Sequence, residues 1–424
     1  MSYSYISSKN RFNGIIDYIV IILILSSSGF GYVINTISTQ IWLIVVFISM
    51  VILALYRYKI NLRFRFILFV SMFIAMLIIN NIIYNYFKID LYVGLVLRLL
   101  IAYYTVRILD MKFIKVYIIV MSYLSILTLS LYLLILMKIL PMNIFKNIGF
   151  IVQQSNLSEQ ILSGANVLLR NCGPFWEPGA FGGYLVIALA LNIFIYNQKV
   201  LCQTNIILVL GILSTQSTTA YLGVGVILLI IYYQKTGGSI ISIFTGLTII
   251  FSFFYLLNKS EIVYPKIYEQ YQAFLNYFYG YNTTWNSQRF ISTYTDYLAF
   301  IENPIFGLGL NVENRFNAKY YIENASSTNG WMNFLTRWGI VGFSLYLYTF
   351  YKSLIVIVKR HCVSKKMAAY LLLIILFIAS SEDYFYYPFF WALTVYKYAI
   401  KAEDVDVDNK RSSKSHYVIS TKTS

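Results

Sequence analysis

The sequence predicts an all-α protein built from about twelve membrane-crossing helices, and three observations predict it. Of the 424 residues, 59% are hydrophobic and only 12% are charged. Apolar stretches recur at intervals of roughly 20–35 residues, and about 20 apolar residues in a helix cross a hydrocarbon core of about 30 Å. These runs do not alternate apolar with polar residues as barrel strands do, and a backbone in lipid must satisfy its own hydrogen bonds, which leaves helices.

The expected spans lie near residues 15–35, 39–56, 66–83, 90–107, 113–137, 177–196, 201–215, 218–234, 239–258, 330–351, 366–381 and 384–400. The first lacks a short apolar core followed by a small-residue cleavage site, so it reads as a retained anchor. The chain divides into residues 1–258, with nine spans and a loop at 138–176; a large loop at 259–329; three further spans at 330–400; and a tail at 401–424. The tail mixes charge with Ser and Thr and has no periodic apolar face, so disorder is expected there.

The net charge of +16 raises nucleic acid as a partner, but the placement of the charge excludes it in favour of a topology signal. With the N-terminus in the cytosol, the basic segments at 57–65, 107–115 and 359–366 and the tail all fall on the cytosolic side. Both termini are then cytosolic and both long loops face out. Cys172 falls outside and Cys202 and Cys362 near the inner face, so no disulfide between them spans a plausible distance. Within the large loop, Phe290, Tyr294, Tyr297, Leu298 and Ile301 recur at helical spacing before Pro304 and Gly307. That pattern predicts an amphipathic helix on the membrane surface.

The stretch "RNCGPFWEPGAFGGYL" opens the sixth span. Pro178 suits a first helical turn and Glu177 meets the positive end of the helix dipole. Gly179, Gly182 and Gly183 leave a smooth face for another helix or a lipid chain. Glu177 either caps the helix or joins Arg170, seven residues earlier, in holding a phosphate and a reacting hydroxyl. Arg98 and Arg337 stand inside spans, where an arginine costs roughly 2.5–3.5 kcal/mol on insertion scales. Each should face the bundle interior and meet an anion, either a span-end carboxylate such as Glu382 or Asp383 or an anionic substrate.

Three stretches carry a likeness: "RNCGPFWEPGAFGGYLVIALALN" (170–192), "LSTQSTTAYLGVGVI" (213–227), and "RFISTYTDYLAFIENPIFGLG" followed by "STNGWMNFLTRWGIVGFSLY" (289–346). With them the chain resembles the bacterial O-antigen polymerases and O-antigen ligases, over roughly its second half. The resemblance implies a GT-C-like fold in the bacterial cytoplasmic membrane. It also implies transfer of a glycan from undecaprenyl diphosphate to an acceptor hydroxyl on the outer face, building an O-antigen, capsule or exopolysaccharide. Its partners would be the lipid-linked donor and acceptor, membrane lipid, and a chain-length regulator.

The family often has His-Asn where this chain has Thr328-Asn329, and the chain's two histidines, His361 and His416, fall on the cytosolic side. The expected mechanism therefore rests on cations at the diphosphate and a carboxylate base. Arg98, Arg170, Arg289 and Arg337 are the expected diphosphate ligands, with Arg170, Arg289 and Glu177 catalytic and Glu177 the base. Glu323 and Asp383 are lesser base candidates, and with Trp285, Trp331 and Asn329 they form the expected glycan path. The aromatic run at 384–391 fits either that path or an interfacial belt.

No cofactor or metal is expected: the "DVDVD" run at 404–408 sits in the tail, "GLG" at 307–309 starts no βα unit, and no His/Cys cluster suits zinc. A ligase is the nearest alternative. A flippase for the same lipid-linked glycan is the alternative from another class, but that fold would be expected to repeat in two halves, which this sequence does not do.

Overall fold

The computed structural model describes residues 2–85, 87–141, 151–154, 169–237, 289–310 and 327–400, with isolated positions between 239 and 279. Helices dominate: α1 (Ser2–Ser26), α2 (Gly31–Thr36), α3 (Thr39–Tyr56), α4 (Phe64–Tyr84), α5 (Ile89–Leu109) and α6 (Lys112–Leu136) come first. A two-stranded antiparallel sheet of β1 (Ile151–Gln154) and β2 (Leu169–Gly173) follows. Then come α7 (Pro178–Phe194), α8 (Gln203–Thr215), α9 (Thr218–Lys235), α10 (Arg289–Glu302), α11 (Gly330–Arg360), α12 (Lys366–Ala379) and α13 (Pro388–Ala399).

Every expected span except 239–258 coincides with a helix; of that segment only isolated positions are described, and the tail lies outside the described residues. Among the described residues six helices are long and apolar enough to cross a membrane: α3, α4, α5, α6, α9 and α11. The other described spans are shorter than the sequence predicts. The first ends at Ser26 because Ser26, Ser27 and Ser28 turn their hydroxyls onto carbonyls of the preceding turn. Gly29 then reverses the chain with φ 110°. α13 has 12 residues, a rise of about 18 Å, and its N-terminal side is a polar turn rather than more helix.

α7 is buried along its whole length and most of α13 is as well, the state of helices that are apolar all round. α7 packs on α6, α8, α9 and α12, while α13 packs on α5 and α11. The basic connections gather at one end of the bundle. There Asp17 takes Arg57 at 2.6 Å and Lys112 at 3.1 Å, and Arg360 meets Asp110 at 2.6 Å. The starts of α7, α10, α11 and α13 meet at the other end, which holds the candidate site described below.

α11 is interrupted at Gly339, whose φ 61° and ψ −172° fall in a region essentially restricted to glycine. The segment after α10 fills the interruption. Leu308 and Gly309 donate their N–H groups to the carbonyls of Thr336 and Arg337 at 2.8 and 2.9 Å, and Ile340 donates to Pro304 at 2.8 Å. The strap thus satisfies the backbone groups that the break sets free, which a lipid environment demands. It also fixes α10 to α11.

A Cβ on Gly339 would lie 2.2 Å from the Ile305 carbonyl oxygen. Gly339→Ala should therefore cost about 2–5 kcal/mol from left-handed backbone and overpacking together. Thermal unfolding in detergent reads this, and an unchanged melting temperature would refute the strap as a rigid joint.

Candidate active site

The turn before α7 is built by local packing. Gly31 donates to the Pro174 carbonyl at 2.8 Å, Phe175 meets Phe30 edge-on at 5.3 Å and stacks on Tyr184 at 4.4 Å, and Pro178 opens the helix. Glu177 stands at the N-cap in extended conformation, yet its side chain makes no capping hydrogen bond. It points instead to Arg289 at the start of α10, with Oε1 3.5 Å from Nη2.

The same guanidinium nitrogen lies 2.8 Å from Oε1 of Glu382, in the turn between α12 and α13. Gly179 makes room for this meeting: a Cβ there would lie 2.7 Å from Glu382 Oε1, 3.2 Å from Glu177 Oε1 and 3.5 Å from Arg289 Nη2. Gly182 and Gly183 face Ala220 and Tyr384, so all three glycines serve helix and side-chain packing rather than a lipid chain.

Burial holds the Glu382 carboxyl well above the usual carboxylate range, and the Glu177 carboxyl beside it pushes the same way, against Arg289 and Arg170. Burial works against the Arg289 cation, but Glu382 and Glu177 outweigh it and raise its pKa. The raised acid gives a signed prediction. The folded state keeps a proton that the unfolded state loses above about pH 4.5, so stability should fall as pH rises from there through the folded value. Melting temperature against pH should show this slope in the wild type and lose it in Glu382→Gln; parallel slopes would refute the assignment.

Arg170 does not share this centre as a free cation. From β2 it forks across the carbonyls of Thr215 and Gln216 at 3.3 and 3.2 Å, closing the end of α8, where Gln216 is left-handed. Arg170→Ala should therefore lower the melting temperature, and Lys, which cannot fork, should restore it only in part. Circular-dichroism melting tests this, and full restoration by Lys would show a simple charge requirement.

The two arginines inside spans form a second group. Arg98 of α5 donates to the Tyr386 hydroxyl at 3.1 Å, with its guanidinium 4.0 Å from the ring centroid. Arg337 of α11 stands 5.0 Å from the same centroid and 3.7 Å from Asp383. Asp383 also accepts a hydrogen bond from the Asn333 amide, whose own carbonyl oxygen is buried without a donor. Two guanidiniums thus approach one aromatic ring, and Arg337 also approaches the Asp383 carboxylate. This group lies roughly 10–14 Å inside the bundle from the starts of α5 and α11, counting 1.5 Å per residue.

The expected set of four diphosphate ligands is therefore divided. Arg289 meets two carboxylates and Arg170 binds carbonyls at a helix end, whereas Arg98 and Arg337 meet at the Tyr386 ring. The groups adjoin, because Glu382 and Asp383 are consecutive, and the Tyr387 phenol between them feels Asp383, Arg98, Glu382 and Arg337 in turn.

Asn329 is a helix cap: its side chain accepts from the Met332 N–H at 3.2 Å, and the residue is buried. Trp331 is half-buried against the core. Trp285 and Glu323 lie outside the described residues. In the aromatic run Tyr384, Phe385, Phe389, Phe390 and Trp391 are fully buried and form core rather than an interfacial belt, while Tyr386 and Tyr387 stand at the site and the Tyr384 hydroxyl backs it against the Gly179 and Ala180 carbonyls. α10 does turn Phe290, Tyr297 and Ile301 outward while Asp296 is buried beneath Ser327.

Glu382 is expected from sequence only as a partner for Arg98 or Arg337, Tyr386 only as part of the aromatic run, and Gly179 only as a packing residue; the structure brings Glu382 and Gly179 together at Arg289 and sets Tyr386 against Arg98 and Arg337. The available signal was the acid pair in "SSEDYFYYP", set between two apolar spans. Among the described residues no group of three His, Cys, Asp or Glu could hold a metal, and Cys172, Cys202 and Cys362 form no disulfide. A scan against protein-family models and a search of the curated proteins both returned no match.

Proposed function

We propose that this chain is a membrane glycosyltransferase that joins lipid-diphosphate-linked oligosaccharide units into a surface polysaccharide, on the outer face of a bacterial cytoplasmic membrane. One observation carries the reading: Arg98 and Arg337, each within a long apolar helix, approach one ring, that of Tyr386, and Arg337 stands 3.7 Å from Asp383. A cation in lipid needs a counter-charge, and the diphosphate of a lipid carrier fits this one. The likeness in the 170–192, 213–227 and 289–346 stretches supplies the reaction class and, with it, a GT-C-like arrangement of about twelve spans, the shorter apolar helices crossing as well.

In this reading Arg98 and Arg337 bind the diphosphate and stabilise the charge that gathers on it as the C1–O bond breaks. The acceptor hydroxyl attacks C1 from the opposite face, and its proton passes to Glu177. Arg289 orients that carboxylate. The basic end of the bundle is cytosolic and the site faces out.

The test is the surface glycan of a strain lacking the gene, separated by size together with its lipid-linked intermediates. Single repeat units at the surface without a ladder would support a polymerase. Full-length polymer stranded on its carrier would identify a ligase, and units trapped on the cytosolic face would overturn the transferase reading for a flippase.

A further inference from the structure

Two carboxylates that converge on one guanidinium nitrogen set an electrostatic problem. Glu382 Oε1 and Glu177 Oε1 lie 2.8 and 3.5 Å from Arg289 Nη2, and both crowd the bare Cα of Gly179. Every element packed around Glu382 contributes to its surroundings. Glu177 comes from the start of α7, Arg289 from α10, Arg170 from β2, and Tyr384 from its own turn.

The Tyr384 hydroxyl offers no help, because it is engaged with the Gly179 and Ala180 carbonyls at 3.1 Å. Glu177 Oε1 is buried, and among the described residues no hydrogen-bond donor reaches it. A buried carboxylate oxygen beside a second carboxyl, with no donor of its own, is satisfied most simply by a proton held between them.

We propose that Glu177 and Glu382 work as one acid–base unit holding a single proton, with Glu177 facing the acceptor and Glu382 behind it as the positioning residue. The side-chain exposures, 32% for Glu177 and 6% for Glu382, set this order. The catalytic part rests on the transferase reading; the shared proton does not.

In the step, the acceptor oxygen bonds to C1 and the C1–O bond to the diphosphate breaks, its electron pair leaving with the diphosphate. The hydroxyl proton joins the unit, which then holds two, and one returns to water through Glu177. No oxidant or further reactant is needed.

Infrared difference spectroscopy of the full chain in lipid nanodiscs, titrated with acid and base, tests the unit without substrate. One protonated-carboxyl stretch should persist at neutral pH and vanish in Glu177→Gln and in Glu382→Gln alike. A wild type without that band would overturn the proposal, and so would a band kept in one variant and lost in the other. If Glu382→Gln does not fold, Glu382→Asp, which withdraws the carboxyl by one methylene, should shift the band; an unshifted band would overturn the proposal equally.

With purified lipid-linked units, Glu382→Gln should lower kcat about 10²-fold and flatten the acid limb of the pH profile, with lipid-diphosphate affinity unchanged. Loss of affinity with kcat intact would make Glu382 a binding residue and sink the positioning role. A wild type that shows the band but elongates nothing would refute the transferase reading and leave the shared proton standing.

Discussion

Arg337→Ala and Arg98→Ala are each expected to lower glycan elongation by about 10²–10³-fold, the effect of removing one donor from a preorganised anion site. The two guanidiniums address one ring, so in the proposed function deleting either halves the charge set against the leaving diphosphate. Lys at either position should restore only part of the activity, because an ammonium can neither fork across two oxygens nor lie flat on the Tyr386 ring.

Tyr386→Phe keeps the ring and loses one hydrogen bond, for about 0.5–1.5 kcal/mol, whereas Tyr386→Leu removes both. Elongation by purified protein, with lipid-diphosphate binding measured in parallel, separates these effects. Alanine variants that fold and elongate at the wild-type rate would sink the anion seat and return Arg98 and Arg337 to structural roles.

Gly179→Ala should be nearly as damaging, although it removes no functional group. The new methyl would fall within 3.2 Å of two carboxylate oxygens, so Glu382 or Glu177 must leave the Arg289 guanidinium. Neither can move cheaply, because Glu382 sits in a turn held by buried Tyr384 and Phe385 and Glu177 is followed at once by Pro178. Elongation should fall about 10²-fold, the value of a correctly placed general base. Gly182→Ala, which meets Ala220 instead, separates helix-packing damage from loss of the carboxyl pair. Equal activity losses in the two variants would mean that Gly179 matters only for packing.

A good part of the site was legible in the sequence. Glu177 before Pro178 marks a helix start by local rules alone, and an arginine inside an apolar run announces that it needs a partner. For Arg337 the sequence offered Asp383 among its partners, and the two stand 3.7 Å apart; the partners of Arg289 and Arg98 were not legible. Arg289 meets Glu382 across 93 residues and Arg98 meets Tyr386 across 288, and no periodic pattern encodes contacts at such separations. Arg170 shows the same limit: a guanidinium that forks across two phosphate oxygens and one that forks across two carbonyls, as here, are identical in sequence.

The run at 384–391 carries the same lesson, since aromatic residues suit a membrane interface, a sugar path and a helix core equally well. Its burial follows from where α13 packs, against α5 and α11.

By itself the sequence determined that the chain is helical, where nearly all its described helices lie, and that its basic connections share one side. Those properties follow from hydropathy and charge read within a window of one helix. The tertiary structure decided that the four arginines divide into two groups, that α11 breaks at Gly339 and is closed by the 303–309 strap, and that Glu382 stands behind Glu177. These arise from helices meeting across the bundle, where burial, charge balance and the space left by a missing Cβ are set by neighbours far away in the chain.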